Sequence, residues 1–445
     1  MINFITHNSI TNRLRTRVRA FVENEDGGMT IFGIFIFATM ATVGAVGLDV
    51  AHLITARTQL QVAADLVAHA AIYNRDTMNA VDAKQAALRI VYAGMPTDQY
   101  GSVLSTQDIT FGTYDPVTGV FTESALSKSA VQVSTERAAT SDNPVASMLF
   151  QFVGIDDWDV RASAVFATYR PMCFREGFVA DGVVDLQSNN GYSNGFCIHS
   201  NEYVSMNSNN SFEAGTVVSM PNTADLDLPQ SGFQTNLGLQ AALRSGTYRM
   251  RILNRIDRLI AEIGTYGSAS MPRYITSSTI VRLTGSRFNA TNFVPGRIHR
   301  ITCSGARVTI EAGTILRNVV VIVPCEIRLG SGVILEDVVM VSTATGANSI
   351  SSPSGLQVGR DDNCAVGGGA QIVTKGGMSF PADLRMFGGQ LIALRDISFA
   401  ANANGIEGAS MVAGGVISGT SNMAMGFCGA GMEGNFEAEY FRLAR

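Results

Sequence analysis

Lysine is almost absent from this sequence, since only Lys84, Lys128 and Lys375 occur among its 445 residues. Charged residues make up 16% of the chain and the formal net charge is −5. An average soluble domain has roughly 25% charged residues. Chains that bind nucleic acid are usually basic, and disordered chains are usually rich in charge. The composition therefore argues against both classes, and we expect no nucleic-acid partner.

A C-x-x-C pair is also missing, which argues against a structural zinc site and a thioredoxin-type redox motif. The cysteines are even in number and all follow residue 170, a pattern typical of disulfides in an oxidising compartment. The sequence predicts no cofactor and no metal site. The candidates for disulfide bonds are Cys173, Cys197, Cys303, Cys325, Cys364 and Cys428.

Met29–Leu48 is a run of apolar residues without one charged side chain. A helix of this length is roughly 30 Å long and matches the apolar thickness of a bilayer. A cleaved secretory signal with a site near Ala45–Gly47 is the alternative, but the run is longer than the apolar core of such signals. Basic residues on the N-terminal side predict a cytoplasmic N-terminus and export of the rest. They are Arg13, Arg15, Arg17 and Arg19.

The helical pattern continues beyond the apolar run. Apolar residues recur at spacings of three and four, while polar residues at a spacing of four form a second face. We predict one helix over 29–72, whose first part lies in lipid and whose second part stands in water. Its apolar stripe packs either on this chain's next domain or on a partner, and the sequence leaves both open. The stripe comprises Leu53, Ala56, Leu60, Ala63, Val67 and Ala70.

Three short motifs surround this helix: Gly27–Thr30 before the apolar run, G-x-x-G-L-D ending at Asp49, and R-x-x-L-Q-x-A-A-D over 57–65. The pattern resembles the N-terminal signature of TadG-like proteins of the tight-adherence (Tad/Flp) pilus assembly systems. The resemblance implies a role in pilus biogenesis, with the inner membrane and other pilin-like subunits as partners. The residues that carry it are Gly47, Asp49, Arg57, Leu60, Gln61, Ala63, Ala64 and Asp65.

The relation to pilins raises the question of cleavage between Gly28 and Met29. Pilin-type signals place Glu five residues into the mature chain, and here that position is Gly33. We therefore expect an intact N-terminal anchor.

The sequence pattern of residues 73–170 predicts a small, pilin-like α+β unit. Ala80–Tyr92 has apolar residues at helical spacing, and Pro144–Phe152 is predicted to be a short helix. Alternating apolar and polar residues predict strands at Asp108–Thr113, Val120–Thr122, Ala130–Thr135 and Asp159–Tyr169.

An internal repeat of about 20 residues runs through the rest of the chain, 171–445. Val184–Tyr192 returns as Val204–Phe212, and Gly313–Ile322 returns as Gly332–Val341. Short β-branched runs split by Gly and Asn at this period indicate stacked coils that share one core. We predict a right-handed parallel β-helix with a helical insertion at about 235–263.

The repeat also bears on the cysteines, because neighbouring coils lie ~4.8 Å apart, within reach of a disulfide. Cys173 and Cys197, and likewise Cys303 and Cys325, are about one coil apart in sequence, so we predict these two bonds. The pair Cys364–Cys428 follows only by elimination.

β-Helices are also scaffolds of polysaccharide lyases and hydrolases, which need paired carboxylates or a calcium cluster. The repeat register stacks Arg317 on Glu336 and Asn318 on Asp337, which suits a structural ladder. The acidic cluster Asp361–Asn363 has the composition of a calcium site, although a turn is its commoner meaning. We predict that the protein is not an enzyme.

Together these features predict a single-pass inner-membrane protein with a short basic cytoplasmic leader (1–28) and a large periplasmic part. Its expected function is structural, in assembly of a Tad/Flp pilus and in surface attachment. The β-helix would face pilin, outer-membrane components or an external surface. The alternatives are a tethered or secreted β-helix carbohydrate-active enzyme or adhesin.

Overall fold

The computed structural model describes residues 16–20, 27–419 and 421–445. It divides into two compact units, one that ends at Tyr169 and also contains Phe441–Arg445, and one that spans Arg170–Tyr440. Most of the predicted leader, including Arg13 and Arg15, lies outside the described residues.

One uninterrupted helix, Gly27–Arg75, begins the first unit, and we call it the anchor helix. Its 49 residues make a rod of roughly 74 Å. It begins two residues before the predicted helix and ends three residues after it. Within the described part of the chain it is the one helix long and apolar enough to cross a membrane. The anchor helix thus combines the apolar run and the patterned segment, as predicted.

The rest of the first unit, which we call the head, is a sheet with the second helix, Ala80–Gly94, and a short helix, Thr97–Tyr100. The three consecutive pairings among the first four strands are antiparallel. In spatial order the strands are Val120–Glu123, Ile109–Asp115, Ala130–Arg137, Val160–Tyr169 and Tyr440–Leu443.

The predicted helix over Pro144–Phe152 is wrong. Val145–Ala146 instead pairs with Asp157–Trp158, and Phe150–Val153 forms a single 3₁₀ turn. The backbone N–H groups of this segment are held by a side chain of the anchor helix, as described below, and this contact has no local sequence signal.

The second unit is a β-solenoid of about 12 turns over residues 177–426, and we call it the solenoid. Its strands stack in parallel on three ladders. The first ladder contains Ile280–Gly285, Arg297–Cys303, Ala370–Thr374, Gly177–Ala180, Cys197–Ser200, Val217–Met220 and Leu243–Ser245. Ile315–Val323 and Ile334–Ser342 turn one corner and join two ladders. Met378–Ala393 and Ile397–Ala413 each turn two corners and run through all three ladders. The other ladders hold Arg287–Phe288, Arg307–Ile310, Glu326–Leu329, Ile350–Ser351, Ile417–Gly419, Val184–Leu186, Val204–Met206, Gln357–Val358, Ala424–Gly426, Gly191–Tyr192 and Ser211–Phe212.

The repeat offsets seen in the sequence equal the separations between residues that pair in neighbouring coils. Val184 pairs with Val204 across 20 residues, and Leu316 pairs with Leu335 across 19. Asn189 and Asn209 both have positive φ, 61° and 64°, which asparagine tolerates at a tight turn. Inside the stack, the Asn210 side-chain oxygen accepts the backbone N–H of Asn190 at 2.9 Å. The asparagine pairs therefore form a ladder between coils.

The turns do not stack in chain order. Phe178, in the first turn, pairs with Ile198 in the next turn and with Met411 near the C-terminus. The chain runs from the first turn to Leu243–Ser245 at one end of the stack. It then resumes at Ile280 at the other end and builds back towards the first turn. The solenoid is therefore made of two chain segments that meet at the first turn.

A strand interrupts the predicted helical insertion. Leu239–Ala242 is a short helix, but Leu237 forms a bridge to Ser211 and Leu243–Ser245 is a strand on Val217–Met220. The later helices, Arg251–Asn254 and Ile256–Ile263, bury one apolar side each. Just after the second, the carbonyl of Gly264 accepts a hydrogen bond from Arg300 at 3.0 Å. The apolar spacing correctly predicted helices in this range, but it did not show that a strand of the solenoid lies among them.

Three disulfides join the solenoid: Cys173–Cys197, Cys303–Cys325 and Cys364–Cys428, with Cα–Cα distances of 4.9, 6.4 and 5.8 Å. These are the three predicted pairs.

Candidate functional site

Asp49, directly after the apolar run, lies at the base of the head. Its side chain is only 1% exposed and accepts three backbone N–H groups, from Met148 at 2.5 Å, Leu149 at 3.0 Å and Phe150 at 2.9 Å. Hydrogen bonds to an ionised carboxylate are stronger than those between neutral groups. Asp49 therefore ties the anchor helix to a segment about 100 residues away.

The motif over 57–65 makes further contacts to the head sheet. The Leu60 carbonyl accepts the Thr135 hydroxyl at 3.0 Å in a buried position. The Gln61 amide donates to the Asp65 carboxylate at 2.9 Å and to the carbonyl of Ser163 at 3.1 Å. The Leu60 carbonyl and the Gln61 side chain thus fix the anchor helix on two neighbouring strands.

The predicted apolar stripe packs on the head of the same chain. Leu60 and Val67 are fully buried, and Ala63 is 4% exposed. They share one core with Ile109 and Val131 of the head sheet, while Leu53 is only partly buried. Of the two possibilities left open by the sequence, the structure has the stripe buried within this chain.

We call these contacts between the anchor helix and the head the joint, and other residues of the family signature lie outside it. Arg57 and Gly47 are exposed, and a Cβ added at Gly47 would meet nothing within 4 Å. Gly28 and Met29, the possible processing site, lie in the first turn of the anchor helix and are exposed.

An apolar groove between the anchor helix and the second helix was missed by the sequence analysis. It has a volume of about 280 Å³ and includes Val62, Leu66 and Ile90 among its lining residues. The spacing of four between Val62 and Leu66 was the available signal, but it was hidden by the stronger stripe on the buried side.

In the solenoid, the candidate carboxylates are already engaged. Glu336 forms an ion pair with Arg317 at 2.6 Å, and Asp337 accepts the N–H of Gly368 at 2.9 Å. Within the acidic cluster, Asp362 pairs with Arg360 at 2.7 Å and accepts the N–H of Ala365. These contacts are those of ladders and turns.

Glu176 is a further buried carboxylate that the sequence analysis did not find. It accepts the N–H groups of Cys428 at 2.7 Å and Gly429 at 2.5 Å. Burial raises its pKa, although the two N–H donors oppose that effect. Nearby, Glu407 lies within 4.8 Å of both sulfur atoms of Cys364 and Cys428, which are bonded to each other. Glu176 thus fastens the C-terminal end of the solenoid next to a disulfide.

We expect substitution of Asp49 by Ala to loosen the joint. The three N–H groups of residues 148–150 would lose their shared acceptor, so this segment should be cleaved faster by an added protease. Limited proteolysis of the detergent-solubilised protein measures the rate. Asp156→Ala, at an exposed aspartate of the same unit, is the control and should leave the rate unchanged. Equal cleavage of both variants would show that Asp49 does not hold the segment.

Comparison with known families finds two matches, one to the N-terminal helix region and one to the solenoid. Residues 27–87 match the family described as putative Flp pilus-assembly TadE/G-like, which covers the anchor helix and the first half of the second helix. Residues 177–429 match a domain of unknown function, DUF7867, which covers the solenoid. Searches of curated proteins and of solved structures each give no match. The chain therefore belongs to the DUF7867 family and carries a TadE/G-like Tad domain at its N-terminus.

Proposed function

We propose that this protein is a membrane-anchored structural component of a Tad/Flp pilus assembly system. The anchor helix would span the inner membrane with its N-terminus in the cytoplasm, and the head and solenoid would lie in the periplasm. The arginines before the apolar run support this orientation by the positive-inside rule. Three disulfides support an oxidising compartment for the solenoid.

The observation that carries the proposal is the joint around Asp49. The TadE/G-like match covers the apolar run, Asp49 and the motif that binds the head sheet. A buried carboxylate with three donors, followed by a buried stripe, fixes the head to the emerging helix. Such a joint suits a subunit whose work is to hold a folded domain at the membrane during assembly.

We further propose that the protein acts by binding rather than by catalysis. In the ladder predicted from the repeat, Glu336 binds an arginine side chain and Asp337 binds a backbone N–H group. A general acid or a calcium site needs carboxylates free to face a substrate or an ion. The expected partners are other pilin-like subunits through the anchor helix, and pilin, outer-membrane components or an external surface through the solenoid.

N-terminal sequencing of the protein extracted from membranes tests the anchored form. We expect a start at Met1 or Ile2, because Gly33 stands where pilin-type signals carry Glu. A start at Met29 would instead indicate pilin-like processing. A start near Leu48, with the protein recovered in the soluble fraction, would contradict the anchor and with it the proposed function.

A second measurement addresses the pilus itself. Deletion of the gene should abolish or sharply reduce surface pili, and the full chain should restore them. Normal pili in the deletion strain would contradict a role in pilus assembly even if the protein is anchored.

A further inference from the structure

The groove between the anchor helix and the second helix is open and apolar. Val62 and Leu66 are each 52% exposed, and Ile90 is 45% exposed. No acidic or basic side chain lines this groove, whose other lining residues are Thr58, Gln59, Ala63, Val91, Gly94, Met95 and Tyr100. Adjacent exposed apolar side chains on a water-exposed surface indicate a site of protein association.

The height of the groove argues against lipid as its occupant. Val62 lies 14 residues beyond Leu48, the end of the apolar run, or about 21 Å along the helix. The headgroup layer adds only about 5–8 Å to each side of the hydrocarbon. A helix tilt of roughly 20° shortens the height by little. In the orientation proposed above, the groove therefore stands clear of the membrane.

The same face of the anchor helix continues down into the apolar run. At 100° per residue, Gly33, Gly44, Gly47 and Ala51 fall within about 60° of Val62 around the helix axis. A Cβ at any of the three glycines would meet nothing within 4 Å. Small residues let another helix approach closely within a bilayer, and Phe37, Met40 and Leu48 add larger apolar side chains to the same arc. The glycines and the groove thus form one open face, which we call the groove face.

We propose that the groove face binds the anchor helix of a second copy of this chain, in a parallel dimer. Gly44 and Leu66 are about 33 Å apart along the helix, so one partner reaches both only if it rises from the same membrane beside this helix. A second copy does so by construction. Because no acidic or basic side chain lines the groove, two copies can meet there without like-charge repulsion.

This inference rests on the membrane anchoring in the proposed function and names a partner for it. In a twofold arrangement about the membrane normal, residues near the axis face their own copies. Val62 and Leu66 of one copy would then fill the groove of the other and become buried.

Cysteine cross-linking of the purified full chain in lipid nanodiscs tests the dimer. The described cysteines are all in disulfides, so a cysteine introduced at Leu66 adds a reactive thiol to an exposed site. We expect mild oxidation to give a covalent dimer with Leu66→Cys. Arg57→Cys is the control, because Arg57 is exposed on the same helix but about 140° around from Val62. No dimer, or equal yields from both variants, would overturn the proposal.

A charge substitution supplies an independent readout. Leu66→Glu should leave the head folded, since the site is half exposed, but should abolish energy transfer between two labelled copies in the same bilayer. Arg57→Glu should retain the transfer. Persistence of the Leu66→Glu dimer would overturn the proposal.

These experiments contain no other pilus protein, so they separate the two hypotheses. A monomer that remains membrane-anchored and supports pilus assembly would refute the dimer and leave the proposed function standing. A chain that is not retained in the membrane would refute both.

Discussion

Replacing Leu60 with Glu should unfold the head. The Leu60 side chain is fully buried between the anchor helix and the head sheet, in the core that contains Ile109 and Val131. The variant removes a buried leucine and places an unpaired carboxylate in an apolar site. Each of these changes is strongly destabilising, so we expect the free energy of unfolding of the head to fall by more than about 3 kcal/mol. Hydrogen exchange of residues 109–137 measures the loss.

Leu66→Glu is the matched control for this prediction, since it makes the same chemical change two turns along the same helix. Leu66 is 52% exposed, so its substitution should change the stability of the first unit by no more than about 0.5 kcal/mol. If Leu60→Glu left hydrogen exchange as in the wild type, the anchor helix would not be part of the core of the head.

Replacing Phe178 with Ala should destabilise both segments of the solenoid at once. Phe178 is fully buried, and its ring centroid lies 5.1 Å from that of Phe196 and 5.4 Å from that of Phe399. Those two rings come from the N-terminal and the C-terminal segment. Loss of a buried phenylalanine costs about 3–5 kcal/mol. We expect faster hydrogen exchange in residues 177–220 and in residues 397–413 together.

Phe233→Ala is the control, because Phe233 is 41% exposed and lies in a short turn of the solenoid. It should leave hydrogen exchange in both regions close to that of the wild type. Faster exchange confined to residues 177–220 in Phe178→Ala would show that the two segments are stabilised separately, contrary to the pairing of Phe178 with Met411.

Local periodicity predicted the individual elements well. The spacing of three and four along the anchor helix identified the buried stripe, since residues on one helix face share one environment. The offsets of 20 and 19 gave the pairs Val184–Val204 and Leu316–Leu335, because each coil repeats the pattern of its neighbour. Element types and the nearest coil neighbours were therefore predictable.

Contacts between distant parts of the chain were not predictable. The bonds from Asp49 to Met148–Phe150 join residues about 100 apart, and nothing in residues 144–152 signals them, so that segment was predicted as a helix. The sequence left open whether the stripe packs on a partner or on this chain, and the structure has it packed on the head. The pairing of the first turn with the last likewise has no pattern in the sequence, because any coil of the right shape could stack there.

Because of the order of its turns, the solenoid is sensitive to truncation of the chain before residue 397. The first turn is translated well before one of its two neighbours, as the contact between Asn189 and Asn422 across 233 residues shows. A chain that stops before residue 397 would keep one flank of that turn bare, with unpaired backbone groups along its edge. Chains truncated in this way should therefore be cleaved by proteases at the first turn, whereas a chain that contains residues 397–426 covers it.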